Sequence, residues 1–233
     1  MSTDKTRRLV LFGDGPFAQI AYEYFQEYSE YEVVAFTVEA AFLERTSFCD
    51  RPVVPFEQLD QVCPPKSHSF FAAVVYNQMN RLRTRILANA RAMGFAIARF
   101  ISPRAFVWPN VTIGEHCFIF EDNVLQPFVV LGDNVILWSG NHIGHHTVIR
   151  DNCFISSHVV LSGYVEVQDN SFLGVNSAVA NNVTIGADNW IGPGLTIIKD
   201  TPPNALYRAV QPQASPVPAR KFFKIGEPVS RGK

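Results

Sequence analysis

Every sixth residue from Ile101 to Ile197 is Ile, Leu or Val, seventeen positions in succession. A period of six fits neither the α-helical repeat of about 3.6 residues nor the simple alternation of an uninterrupted strand. It describes a coil of short flat sides, each sending one aliphatic side chain to a common axis. The pattern repeats better still at eighteen: Ile113, Leu131, Ile149, Val167 and Ile185 precede Gly-Glu-His, Gly-Asp-Asn, Arg-Asp-Asn, Gln-Asp-Asn and Gly-Ala-Asp, the polar chemistry of tight corners. A second inward position lies two residues before each aliphatic and is often compact, as at Val111, Cys117, Val129, Val135, Thr147, Cys153, Ser171, Ser177 and Val183. The residues between point outward, because side chains alternate across an extended segment. Three sides close one turn, so the spacing predicts a triangular solenoid of parallel β-strands.

The 233 residues are 47% hydrophobic, enough for one large domain or two small ones. A net charge of −1, with both signs intermixed, gives no basic footprint and argues against a nucleic-acid partner. No apolar stretch reaches the length of a membrane span, and the opening Met1-Ser2-Thr3-Asp4 leads into a strand rather than a secretion signal, so a cytoplasmic protein with no membrane partner is expected. The cysteines Cys49, Cys63, Cys117 and Cys153 are scattered without a CxxC pair. Neither disulfides nor zinc are expected, and Cys117 and Cys153 read as small core residues.

Residues 1–100 lack the six-residue period and read as a small α/β domain. Strands are expected at Arg8–Phe12, Tyr31–Thr37, Ser69–Val75 and near Ala96–Arg99, with a short extended piece at Pro52–Pro55, and helices at Phe17–Tyr28, Phe56–Gln61 and Arg81–Met93. Their alternation implies a parallel, Rossmann-like sheet. Residues 101–200 form the solenoid, and 201–233 a Pro-rich tail expected to cover its open end, with the last five residues disordered.

Two constellations can carry chemistry. Gly13-Asp14-Gly15-Pro16-Phe17-Ala18 follows the first strand and opens the first helix. Glycines there allow a phosphate to approach the helix amino end, whose free N–H groups and dipole attract anions. A plain strand-to-helix turn is the alternative, and the domain has too few strands for a whole dinucleotide site. Thr37 and Glu39 end the second strand, where an acidic residue can bind a ribose hydroxyl or simply be solvated. Asn77, Asn80 and Arg81 follow the third strand, and ligands sit at the carboxyl ends of strands in open α/β sheets. The second constellation is Ser139-Gly140-Asn141-His142-Ile143-Gly144-His145-His146, with three histidines within five residues on a predicted corner. Imidazole suits proton transfer near neutral pH. Eighteen residues after His145, on the adjacent coil, lies Gly163, a candidate oxyanion donor through its N–H or merely a corner glycine; Asn181 and Lys199 continue that column.

These residues resemble the bacterial hexapeptide-repeat nucleotide-sugar N-acetyltransferases of the bacillosamine, perosamine and sialic-acid pathways. The likeness covers nearly the whole chain: the GxG turn, Ile101-Ser102-Pro103-Arg104-Ala105 entering the solenoid, the seventeen-fold repeat, and Lys199-Asp200-Thr201-Pro202-Pro203 closing it. The resemblance implies a left-handed parallel β-helix and a homotrimer with sites between neighbouring prisms. It also implies acetyl-CoA as donor, with no metal, and a nucleotide-linked amino sugar as acceptor, in the making of surface glycans such as the lipopolysaccharide O-antigen. By position it puts the family's catalytic histidine on His145 and the oxyanion amide on Gly163; His142 is the rival imidazole, and Asn181 and Lys199, further along the column of Gly163, are the candidates for the donor side. The chain departs from the family in two places. The acidic residue that follows the histidine is His146 here, leaving Asp151 or a neighbouring subunit to orient the base, and a second family histidine is Phe154. An O-acetyltransferase of the same fold, a metal-dependent hydratase and a non-catalytic nucleotide-sugar binder are the competing readings.

Overall fold

A computed structural model describes residues 4–226. The first unit contains β1 (Arg7–Phe12), α1 (Pro16–Tyr28), β2 (Tyr31–Val38), β3 (Ser47–Phe48), β4 (Arg51–Pro55), α2 (Leu59–Val62), β5 (His68–Ala72), α3 (Arg81–Ala92) and β6 (Ala96–Ile97). The sheet order is β3-β4-β2-β1-β5-β6, parallel except for the β3–β4 hairpin. Strand β1 is apolar on both sides because both are covered: Leu9 and Leu11 pack with α1, Val10 and Phe12 with α2 and α3. The β3–β4 hairpin is absent from the sequence reading. Its turn residues Cys49 and Asp50 both have positive φ, 48° and 56°, a geometry ordinarily announced by Asn-Gly or Asp-Gly. Strand β5 stops at Ala72, three residues earlier than expected. The chain then turns away through Gln78, Met79 and Asn80, all left-handed at φ 52°, 52° and 65°.

From Phe100 the chain winds into three parallel sheets of two-residue strands, a left-handed parallel β-helix. One face begins at Phe100–Ile101 and has seven strands, the second begins at Phe106–Val107 with six, and the third at Thr112–Ile113 with five. Each strand from Phe100–Ile101 to Ala178–Val179 pairs with the one eighteen residues on, as Ile119 does with Leu137 and Leu137 with Ile155. The aliphatic column is buried from Ile119 onward, while Ile101, Val107 and Ile113 are partly exposed in the first coil. Every sixth residue from His116 to Gly194 has positive φ. Most are Asn, Asp or Gly, which accept that conformation; a bulkier residue there costs roughly 1–2 kcal/mol. Inward asparagines are bonded to one another up the coil: Asn141 Nδ2 donates to Asn123 Oδ1 (3.0 Å), and Asn141 Oδ1 accepts the Val159 N–H (2.7 Å). Burial pushes the Cys117 thiol up to about 11 and the Cys153 thiol up to about 12, consistent with inert core groups.

The first face carries its aromatics outward, Phe100, Phe118, Phe154 and Phe172 among them, where the α/β unit covers them. A buried polar joint fixes this docking. Arg83, on α3, is fully buried and donates to three carbonyls: Ala72 O (3.1 Å), Asn134 O (3.0 Å) and His116 O (2.9 Å). His116 is also fully buried; its Nε2 accepts the Ala72 N–H at 2.8 Å and its Nδ1 lies 2.7 Å from Asn134 Oδ1. Burial pulls Arg83 down to about 9. Burial, and then the charge of Arg83, hold His116 well below the usual imidazole range.

The tail differs from expectation. Leu206–Tyr207 adds one strand to the first face, but residues 210–226, including a short helix at Ala219–Phe222, remain exposed and do not fold over the end of the coil. The expected disorder of Val229–Lys233 concerns positions outside the described residues. Among the described residues, no helix is long and apolar enough to cross a membrane.

Candidate active site

A cleft of about 910 Å³ opens at the carboxyl ends of β1, β2 and β5. Gly13, Asp14, Gly15, Pro16 and Phe17 line it from the α1 side, and Glu39 and Asn77 from the other strands. Gly13 has φ 110°, and a methyl group there would meet Ala73 O at 2.8 Å, so this turn requires glycine. Gly15 precedes α1 and Pro16 opens it, which leaves the first helical N–H groups facing the cleft mouth for an anion. Asp14 pairs with Arg45 at 3.2 Å. Arg85 clasps Glu39 with both guanidinium nitrogens, at 2.7 and 3.0 Å, and these hydrogen bonds hold the Glu39 carboxyl below its ordinary range. Glu39 therefore enters the cleft already paired rather than as a free acceptor for a ribose.

Sequence reasoning missed Arg85 and Phe42. Arg85 is one of several basic residues on α3, and only the fold sets it against Glu39. Phe42 lines the cleft yet is 67% exposed, an arrangement suited to stacking a planar ligand. Its only trace in the sequence is an aromatic residue four positions after the second strand, among the apolar neighbours Ala40, Ala41 and Leu43.

Three candidates do not line the cleft. Thr37 is buried and donates its hydroxyl to Val54 O at 2.8 Å. Asn80 is buried with its Nδ2 on Asn152 O, and Arg81 pairs with Asp188. The left-handed turn at Gln78–Asn80 aims both at the prism, where they tie the two units together.

The histidines stand on the vertex between the second and third faces, opposite the face that carries the α/β unit. His142 projects from the second face between Val124 and Val160, and no hydrogen bond or ring contact joins it to His145 among the described residues. His145 and His146 are exposed, with their Nδ1 atoms 3.2 Å apart. The His145 ring lies against Gly163, where a methyl group would meet its Cε1 at 2.6 Å and its Nε2 at 2.7 Å. The Gly163 N–H donates to Asn181 Oδ1 at 2.9 Å, so as an oxyanion donor it would have to leave that partner. Asn181 is thereby placed beside Gly163. Lys199 lies apart, lining a depression at the foot of the prism with Ile197 and Arg208.

Two further expectations are corrected. Asp151 cannot orient His145 within the chain: it stands at the vertex between the third and first faces, where its Oδ1 accepts the Asp133 N–H at 2.8 Å. Phe154 belongs to the domain interface, packed under Tyr76 with ring centroids 5.0 Å apart, and is not part of the histidine vertex. Among the described residues, no three His, Cys, Asp or Glu side chains gather where they could hold a metal ion.

Residues 128–163 match the bacterial transferase hexapeptide family, described as six repeats. No curated protein sequence matches the chain. PerB of Caulobacter crescentus, solved with CoA and GDP-perosamine, is 28% identical, with a TM-score of 0.76 over 86% of this chain and 93% of that one. A histidine-to-asparagine variant of the perosamine N-acetyltransferase from the same organism, again with CoA and GDP-perosamine, is 27% identical with a TM-score of 0.77 and the same coverage. The acetyltransferase domain of PglB from Neisseria gonorrhoeae, at 24% identity and a TM-score of 0.76 over 88% of this chain and 97% of that one, shares the fold. With its six-residue column, its α/β unit docked on one prism face and its glycine-seated imidazole, the chain is similar in fold and layout to the bacterial hexapeptide-repeat acyltransferases.

Proposed function

We propose that the protein transfers an acetyl group from acetyl-CoA to the amine of a nucleotide-linked amino sugar, with His145 as general base, in a cytoplasmic homotrimer. The observation that carries this reading is the joint presence of a nucleotide-sized cleft and an exposed imidazole seated on Gly163, in a chain similar to enzymes solved with CoA and GDP-perosamine. The cleft would hold the diphosphate at the start of α1, with the base against Phe42.

Topology supports the trimer. The cleft belongs to the unit on the first face, whereas His145 occupies the opposite vertex, so a sugar held in one cleft would meet the imidazole of another copy. The free faces fit such association: Phe106, Trp108, Phe128, Val160 and Tyr164 are exposed on or beside that vertex.

In the proposed step the amine nitrogen attacks the thioester carbonyl carbon and its proton passes to His145 Nε2. The tetrahedral oxyanion collapses, the carbon–sulfur bond breaks, and the departing thiolate takes up the proton. Gly163 N–H would exchange its bond to Asn181 for one to the oxyanion. Incubation with acetyl-CoA and a panel of UDP-, dTDP- and GDP-linked amino sugars tests this by thiol release and by the mass of the acetylated sugar. Release with a free sugar alcohol but none of the nucleotide sugars would overturn the acceptor assignment.

A further inference from the structure

We propose that His146 is the residue that orients the base, an imidazole standing where a carboxylate would be expected, and that only the doubly neutral His145–His146 pair is competent. The inference rests on His145 being the base of the proposed transfer.

The ring of His146 is held on both faces. It stacks on Phe128, with centroids 4.5 Å apart and planes 24° apart, and on Tyr164, at 4.6 Å and 13°. Phe128, His146 and Tyr164 occupy equivalent corners of three successive coils, all at positive φ (67°, 59° and 59°), where most corners of this chain carry Asn, Asp or Gly. Three bulky rings in a conformation that disfavours them mark a vertex shaped for something other than turning the chain. The His145 ring stands perpendicular to this stack, at 88° to His146 and 87° to Tyr164, so its Nδ1 edge meets the Nδ1 edge of His146.

One hydrogen can lie between those two nitrogens. When His145 holds it, His146 Nδ1 accepts and the lone pair of His145 sits on Nε2, ready to take a proton. When His146 holds it, or is protonated on both nitrogens, its Nδ1–H points at His145 Nδ1. That nitrogen must then present its lone pair, Nε2 keeps the hydrogen, and the base is lost. Once His145 accepts a proton from the amine, its Nδ1–H becomes a charge-assisted donor to His146. Tyr164 is the remaining titratable group against both rings; Gln126 Oε1 accepts the His145 N–H, and among the described residues no carboxylate or cation bonds to either imidazole.

The test is the acid limb of kcat/KM, read beside the pH dependence of His145 carbethoxylation by diethyl pyrocarbonate, followed by peptide mass. The second readout needs no turnover. In the wild type both profiles should steepen to a limiting slope of two protons. His146→Asn, whose oxygen accepts without titrating, should show a slope of one and a higher kcat than His146→Phe. His146→Phe, which can stack but cannot accept, should show a slope of one and lose roughly 10-fold or more in kcat with KM little changed, part of the 10²- to 10⁴-fold that a general base contributes. A one-proton wild-type profile left unchanged by His146→Phe in both readouts would overturn the proposal. A two-proton modification profile without transfer to any acceptor would keep the pairing and sink acyl transfer instead.

Discussion

The imidazole of His145 rests on the α-carbon of Gly163, eighteen residues later in the chain, with room for a hydrogen between them and for nothing larger. The backbone of Gly163 lies outside the positive-φ region, so an alanine there would be excluded by the ring and not by the turn. Gly163→Ala should therefore fold normally while His145 swings off its seat. Its expected signature is a fall in kcat of about 10²-fold with little change in thermal midpoint. Full activity in that variant would show that the seated position of the ring is irrelevant to turnover.

The buried His116 predicts an acid-labile domain joint. Its folded pKa is depressed, so below the ordinary imidazole value of about 6.5 the unfolded chain binds a proton that the folded chain refuses. Stability is then fully present above pH 6.5 and is lost as pH falls from there toward the folded value, by up to about 1.4 kcal/mol per pH unit. His116→Asn keeps a residue tolerant of φ 58° and removes the titration. Urea midpoints between pH 7 and pH 5 should fall more steeply for the wild type than for the variant.

Arg83 satisfies three carbonyls from both units with one planar guanidinium. Arg83→Met would leave those acceptors buried and unpaired, costing about 2–4 kcal/mol. Arg83→Lys should recover only part of this, because a compact ammonium cannot span the same fork. Denaturant unfolding of the two variants gives the ranking; equal stability of methionine and wild type would deny the joint its structural role.

The cleft makes a separable prediction. Phe42→Ala should weaken nucleotide binding by roughly 10-fold, within the 1–3 kcal/mol typical of one base–aromatic stack. Arg85→Ala frees the Glu39 carboxylate and should weaken diphosphate binding further by charge repulsion. Calorimetric titration with a nucleoside diphosphate checks both without turnover, and undiminished affinity in both variants would move the nucleotide to another site.

How much of this was readable beforehand follows from how local each feature is. The column from Ile101 to Ile197 was legible because each coil pairs only with its neighbour, eighteen residues away, so the sequence repeats the structure. The Gly13 turn was legible because its constraint is a backbone one. The same register put Gly163 and Asn181 in the column of His145, but the engagement of the Gly163 N–H by the Asn181 side chain depends on a rotamer that spacing does not specify. Asn80 and Arg81 follow a strand, which by itself puts them on the ligand side of such a sheet; the left-handed turn at Gln78–Asn80, which no Gly announces, sends them to the prism instead.

By itself the sequence determined the prism, its corners, the two-part plan and the histidine-bearing vertex, since all of these rest on short-range periodicity or on local backbone chemistry. Only the tertiary structure decided which groups meet across distance: Arg85 with Glu39, Arg83 and His116 across the joint, and the cleft opposite its own His145. Those pairings are set by how an α/β unit packs its aromatic-covered side onto one face of a triangle, a choice made by long-range burial and shape that leaves no periodic trace in the chain.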